Sequence, residues 1–150
     1  MSGRITNPEI VGYLKQLAAS AGGALSPSEV VEAARPAASP IHGQFCWDDT
    51  EAAHRYRLQQ ASELLRVTVE LIEVKSETYE VRAFTSLSPD RAKDGKSYRA
   101  TVAVMTNKQM REQMLADALA ELEAFQRKYA ALSELAEVFA AIRKTRKKAS

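Results

Sequence analysis

The side chains best suited to chemistry lie close together in one stretch of the sequence. This stretch contains His42, Cys46, Asp48, Asp49 and His54. Imidazole, thiol and carboxylate groups at short spacing can act as metal ligands, or as a nucleophile with its base. However, the stretch lacks the two close Cys/His pairs of a zinc site, and the chain has no G-x-x-x-x-G-K-S/T, G-x-G-x-x-G or G-x-S-x-G motif. We therefore expect no enzyme, no metal, no cofactor and no small-molecule substrate.

Most of these residues also have a structural explanation. Asp48 is a good helix N-cap, and Glu51, three residues later, completes a capping box. Cys46 lies between two aromatic residues, which predicts a buried thiol that behaves as a small hydrophobe. His54 falls on an apolar flank of the next helix, where a hydrogen-bonded core histidine is the commoner outcome. Because Cys46 is the only cysteine, no internal disulfide can form, which fits a reducing cytoplasm.

The helix that follows Asp48 is expected to continue to about Arg66, because no residue in between breaks a helix. On a wheel of about 100° per residue, one narrow polar strip holds Glu51, Arg55, Gln59, Ser62 and Arg66. Apolar residues occupy both flanks, with Ala53, Tyr56 and Leu64 on one and Leu58, Ala61 and Leu65 on the other. A helix with two apolar flanks is predicted to lie in the middle of a domain.

The rest of the chain predicts an α+β fold. Asn7-Pro8 and Ser26-Pro27 each begin a helix before the central one. After Arg66 the apolar spacing changes to two, which predicts three strands, formed by Val67 to Ile72, by Tyr79 to Ala83, and by Tyr98, Ala100, Val102 and Val104. We expect a three-stranded antiparallel sheet in winged-helix-like order, followed by a long C-terminal helix, with a first domain over residues 1–106.

The C-terminal helix is expected over residues 107–143, since Asn107 can cap it and no Gly or Pro follows before Arg143. Leu115, Leu122, Tyr129 and Ala136 recur every seven residues, and Ala118, Phe125, Leu132 and Phe139 follow the same spacing three residues later. This heptad pattern predicts a coiled-coil homodimer through Leu115, Leu122, Phe125, Tyr129, Leu132 and Phe139. The alternative is a helix packed along its own domain and broken near Ala130-Ala131.

The charge of the chain favours nucleic-acid binding only in particular segments. The net charge is +2, and removing the five basic residues between Arg143 and Lys148 leaves −3, so the basic excess lies at the C-terminus, including a tail over residues 144–150. On the central helix, Arg55, Gln59, Ser62 and Arg66 can read base edges. Phosphate-binding candidates are Arg91, Lys93 and Lys96 in the loop over residues 87–96, and Lys144, Arg146, Lys147 and Lys148 in the tail. Against DNA or RNA, Glu51 shares the polar strip, and the connection before this helix is longer than a tight helix-turn-helix allows.

The sequence predicts no membrane association. No apolar run approaches the roughly 18–20 residues that span a bilayer. The N-terminus, MSGRITNPE, lacks the apolar core of a signal peptide. We expect a cytoplasmic protein.

The stretch ASPIHGQFCWDDTEAAHRYRLQQASELL resembles a segment of a protein family of tailed phages and prophages in proteobacteria. That pattern reads Ser-Pro-Leu-His, Phe-x-Trp-Asp-Asp, Ala-Ala and Tyr-Arg-Leu, followed by Ala-Arg-x-Leu-Ile. The matching residues here are Ser39, Pro40, His42, Phe45, Trp47, Asp48, Asp49, Ala52, Ala53, Tyr56, Arg57 and Leu58. The chain departs from it at Ile41, where the family has leucine, and at Ser62, where it has arginine. The likeness extends over residues 25–135, and it implies phage or prophage origin without assigning catalytic residues.

The sequence therefore predicts a phage- or prophage-derived accessory protein that acts by binding, with nucleic acid as the favoured ligand and a regulatory role. The alternative is a protein–protein adaptor or assembly factor that dimerises through its C-terminal helix without nucleic acid.

Overall fold

Two capped helices open the chain. The computed structural model describes residues 3–48, 50–92 and 96–149. Helix α1 (Pro8–Ser20) is capped by Asn7, whose side chain accepts from the Glu9 amide at 2.9 Å. Helix α2 (Pro27–Ala34) is capped in the same way by Ser26. Both predicted helix starts are confirmed. After α1 ends, Gly22 and Gly23 have φ values of 77° and 95°. Residues with a Cβ atom disfavour this left-handed backbone conformation, so glycine suits the turn that follows the helix.

The central helix α3 (Glu51–Val67) begins two residues later than expected for a helix with Asp48 as its N-cap. Thr50 is the N-cap, because its hydroxyl accepts from the Ala53 amide at 3.1 Å. The prediction of Asp48 as the cap is wrong. Its backbone carbonyl instead accepts a hydrogen bond from Arg57 at 2.6 Å, which holds this residue in the segment before the helix. Asp49, the second member of the predicted acidic pair, lies outside the described residues.

The two strands after α3 form an antiparallel hairpin, β1 (Val69–Val74) and β2 (Glu77–Arg82), as expected from their short connection. Lys75 and Ser76 form the turn with φ values of 52° and 68°. Such positive values at both central residues are typical of a two-residue hairpin whose turn matches strand twist. This hairpin is a separate two-stranded sheet.

The predicted three-stranded sheet is wrong. Within the described residues, a second two-stranded sheet pairs β3 (Phe84–Thr85) with β4 (Arg99–Ala100), and the expected loop between them contains helix α4 (Ser88–Arg91). The third predicted strand stops at Ala100, because residues from Thr101 onward form helix α5 (Thr101–Thr106). Ala100 and Val104 are both buried, a spacing of four that suits a helix as well as a strand.

The C-terminal region begins with the expected long helix but does not continue as one. Helix α6 (Lys108–Lys128) is capped by Asn107, which accepts from the Met110 amide at 3.0 Å. After Lys128 the chain turns through a 3-10 helix (Ser133–Leu135) into helix α7 (Ala136–Ala149), which packs back on α6. The break falls near Ala130-Ala131, as the alternative prediction placed it. The predicted basic tail lies within α7 as far as Ala149.

The main core is formed by α1, α2, α3 and the short sheet β3–β4. Its buried side chains are Ile10, Val11, Leu14, Ala18, Leu25, Val30, Val31, Ala34, Ile41, Phe45, Ala61, Leu64, Leu65, Ala83, Phe84, Tyr98 and Ala100. On α6 and α7, only Leu119, Phe139 and Ile142 are buried among the described residues. None of the helices described is long and apolar enough to cross a membrane.

Candidate interaction surfaces

The predicted base-reading strip on α3 is present at the surface. Arg55, Gln59 and Arg66 are exposed, and Ser62 is half-buried. Arg55 donates to Glu51 at 3.0 Å across one helical turn. An exposed pair of this kind contributes little stability, so Arg55 can leave it for a phosphate or base at low cost.

Among the loop residues predicted to bind phosphate, Arg91 is held by neighbouring residues. Arg91 donates to the Ser86 carbonyl at 2.6 Å and lies 3.8 Å from the Asp117 carboxylate. Lys96 is exposed. Lys93 lies outside the described residues.

The predicted basic tail forms the last turns of α7, where Lys144, Arg146, Lys147 and Lys148 are all exposed. Arg146 pairs with Glu123 of α6. Helix α7 packs on α6, whereas α3 packs on α2 and β3. The fold therefore gives the two basic candidates separate supporting elements.

The heptad residues divide into an exposed set and a buried set. Leu115, Leu122 and Phe125 are 46%, 38% and 39% exposed, and with exposed Ala118 they lie on one face of α6, which we call the α6 stripe. Tyr129 is half-buried and contacts Phe125, with ring centroids 5.0 Å apart.

The other heptad residues do not continue this surface along one helix. Leu132 is exposed but follows the end of α6, and Phe139 is buried within the α6–α7 pair. The prediction that one uninterrupted helix carries the seam from Leu115 to Phe139 is therefore wrong. The reason is the turn after Lys128, which folds the second half of the pattern back on the first.

Two apolar grooves border the α6 stripe. The hairpin groove, of about 720 Å³, separates the β1–β2 hairpin from α6 and is lined by Ile72, Tyr79 and Val81 on one side and by Met105, Met114 and Ala118 on the other. A second groove of about 530 Å³ includes Met105, Met114, Leu115 and Ala118. Because Met114 and Ala118 line both grooves, the apolar surface is continuous from the hairpin to the stripe.

This surface is held in place by Asp117, which joins α6 to the start of α4. The carboxylate accepts hydrogen bonds from the Ser88 amide at 2.9 Å, the Ser88 hydroxyl at 2.8 Å and the Gln113 amide at 3.0 Å. Burial by itself raises the pKa of Asp117, but these hydrogen bonds and the charge of Arg91 outweigh it, so the pKa is lowered from its ordinary value of 3.8.

The lowered pKa of Asp117 predicts an acid-sensitive contribution to stability. A depressed folded-state pKa stabilises the protein above the unfolded-state value, and this contribution is lost as the pH falls through the folded-state pKa. We expect Asp117→Asn to lower the free energy of unfolding by about 1–2 kcal/mol at pH 7, because the amide keeps an acceptor oxygen but loses the charge that strengthens these hydrogen bonds. The difference should be smaller at an acidic pH, because the carboxylate becomes protonated as the pH falls through its lowered pKa. Urea unfolding of both proteins at the two pH values measures it, and an equal difference at both would contradict the assignment.

His42, Cys46, Asp48 and His54 are the described members of the cluster that the sequence offers for chemistry. Among the described residues, no three His, Cys, Asp or Glu side chains are placed to hold a metal ion. Cys46 is exposed, so the prediction of a buried thiol is wrong, because the chain between Phe45 and Trp47 turns this side chain outward. His54 is half-buried.

The residues of the phage-like pattern instead build a structural cluster. The Trp47 ring stacks on His42 with centroids 5.0 Å apart, and the Arg57 guanidinium lies 5.3 Å from its centre. Arg57 is buried and donates to the Cys46 and Asp48 carbonyls, while the His42 Nδ1 lies 2.8 Å from the Ala34 carbonyl at the end of α2. The pattern thus ties the segment before α3 to both α2 and α3.

Sequence reasoning missed the hairpin groove. Its walls come from β1–β2, α5 and α6, which are far apart in the chain, and α5 was predicted as a strand. The available signal was the apolar spacing of two at Ile72 and Val74 and at Tyr79 and Val81, which places these four residues on one face of the hairpin. The chain matches no protein family, no curated protein and no solved structure.

Proposed function

We propose that the protein is an assembly or adaptor protein of phage or prophage origin that acts by binding proteins, and that it forms a homodimer through the α6 stripe. The observation that carries this proposal is the exposure of Leu115, Leu122 and Phe125 on one face of a 21-residue helix. The phage origin rests on the sequence resemblance alone.

Covering the exposed apolar side chains of the α6 stripe with a partner is energetically favourable. Burial of apolar surface contributes about 25 cal/mol per Å². Contiguous exposed apolar surface that is rimmed by polar residues is typical of interaction sites. The rim here includes Lys108, Arg111 and Glu112, which line the smaller groove beside Leu115. A partner on the stripe can therefore bury an apolar centre while leaving this rim in water.

The dimer is tested by exchanging Leu115 and Leu122 for glutamate. Because both side chains are already substantially exposed, we expect the double variant to remain folded and to lose self-association. Light scattering at tens of micromolar should give twice 16.5 kDa for the wild type and 16.5 kDa for the variant.

Tyr56→Glu is the matched control, since Tyr56 is 51% exposed on α3, away from the stripe. We expect this variant to remain a dimer. A wild-type mass of 16.5 kDa would overturn the proposal.

Nucleic-acid binding is the second candidate function. It is favoured by the concentration of Lys144, Arg146, Lys147 and Lys148 in the last turns of one helix, while the rest of the chain carries a net negative charge. On this proposal the end of α7 binds phosphates, and Arg55, Gln59 and Arg66 of α3 contact bases.

The two contributions differ in their salt and sequence dependence. We expect Lys144→Gln with Lys148→Gln to weaken binding to all duplexes alike and to lower the log–log salt slope by about one per lost phosphate contact. Arg55→Ala should cost about 1–3 kcal/mol on a preferred sequence and little on random DNA. Titration of labelled duplex at about 50 and 200 mM salt separates the two effects. No binding by the wild type at the lower salt concentration would leave only the assembly proposal.

A further inference from the structure

Two oppositely charged residues lie along one side of the α6 stripe. Glu121 and Lys128 are exposed and seven residues apart, so about 100° per residue places them on the same flank of the helix. Within the described residues neither one forms a salt bridge, whereas Glu123 of the same helix pairs with Arg146. Lys128 is the last residue of α6, and its ammonium group lies 5.2 Å from the Tyr129 ring centre.

This arrangement is self-complementary in one orientation. When two copies of a helix pack antiparallel about a two-fold axis, each flank faces the same flank of the other copy. A residue that precedes the axis by a given number of positions then faces the residue of the partner subunit that follows the axis by the same number of positions. The midpoint between residues 121 and 128 lies beside Phe125, which is 39% exposed and packs the rest of its ring edge-on against Phe139 of α7, with centroids 6.3 Å apart. An axis at this point brings the two Phe125 side chains together and forms the charge pair twice.

We propose that the occupant of the α6 stripe is a second copy of this chain, packed antiparallel about a two-fold axis beside Phe125, with each Glu121 paired with Lys128 of the partner subunit. This inference rests on the proposed homodimer and specifies its geometry. A parallel arrangement fits less well, because it places this flank against the opposite one, which carries Leu119 and Gln126 and offers no opposite charge.

Charge reversal tests the geometry. Glu121→Lys places like charges opposite each other twice, and Lys128→Glu does the same. We expect either variant to raise the dimer dissociation constant by about tenfold, since two favourable pairs are replaced by two repulsive ones. The double variant restores opposite charges at both contacts, and its dissociation constant should return to within about threefold of the wild type. Sedimentation equilibrium of all four proteins measures these constants.

Arg127→Glu is the matched control, because it changes the net charge as Lys128→Glu does but lies beside Glu123 and Arg146, on the side of α6 away from the stripe. We expect it to dimerise as the wild type does. If the wild type dimerises but the single reversals have no effect, or the double variant is weaker than either single variant, the antiparallel geometry is overturned and the homodimer stands. A monomeric wild type would overturn both.

Discussion

Replacing Asp90 by alanine is expected to lower the free energy of unfolding by about 3 kcal/mol, because it leaves a largely buried arginine without its counter-ion. Asp90 is buried and accepts two hydrogen bonds from Arg99, at 2.7 and 3.1 Å. This bidentate pair joins α4 to β4, the strand that leads into α5. Chiefly through its hydrogen bonds to Asp90, the pair raises the pKa of Arg99, while burial opposes that increase.

The double variant separates the loss of the pair from the isolation of its remaining charge. Replacing a buried ion pair by apolar residues is often neutral, whereas removing one partner is strongly destabilising. We therefore expect Asp90→Ala with Arg99→Met to be more stable than Asp90→Ala alone. Urea unfolding of the wild type and both variants measures this. A loss below about 1 kcal/mol for the single variant would show that Arg99 stays solvated without its partner.

The helix starts could be predicted from the sequence where a single side chain decides them. Asn7, Ser26 and Asn107 each cap a helix as expected, because a short side chain directly before the helix bonds an amide two or three residues on. The prediction of Asp48 as the N-cap of α3 failed because Thr50, an equally suitable N-cap residue, lies two residues later. The choice between them depends on Arg57, which is held near Asp48 only by the folded structure.

The prediction of the third strand failed because tertiary contacts, and not the local spacing of apolar residues, decide between strand and helix at this point of the chain. Residues 100–104 fit a strand as alternating apolar positions, but Thr101 donates from its hydroxyl to the Arg82 carbonyl and from its amide to the Ala83 carbonyl. These contacts across the fold fix the point at which the chain turns into α5. Local pattern carries no information on such a long-range contact.

The candidate interaction surface on α6 was predictable in part. The heptad spacing identified Leu115, Leu122 and Phe125, whose exposure on α6 agrees with an available seam. The same spacing continued through Phe139, although the chain reverses after Lys128. A heptad pattern is equally suited to two helices packed within one chain, so the sequence left open which residues face a partner.

Replacing Trp47 by alanine is expected to lower the free energy of unfolding by about 3 kcal/mol, the lower end of the range for large aromatic residues because the ring is only partly buried. The indole donates to the His42 carbonyl at 3.0 Å and stacks on the His42 ring at an interplanar angle of 8°. Its face is covered by the guanidinium of Arg57, and Phe45 lies beside it with ring centroids 5.8 Å apart. The indole therefore connects the segment before α3 to α3 itself.

Trp47→Phe is the control that separates ring packing from the hydrogen bond. Phenylalanine keeps an aromatic face for Arg57 and His42 but removes the indole donor, so we expect it to cost about 1–2 kcal/mol, less than alanine does. Far-UV circular dichroism during urea unfolding compares the three proteins without requiring tryptophan. Since Trp47 is the only tryptophan, native fluorescence reports its environment directly. Complete quenching by iodide in the folded protein would contradict the packing of Trp47 between α3 and the segment that precedes it.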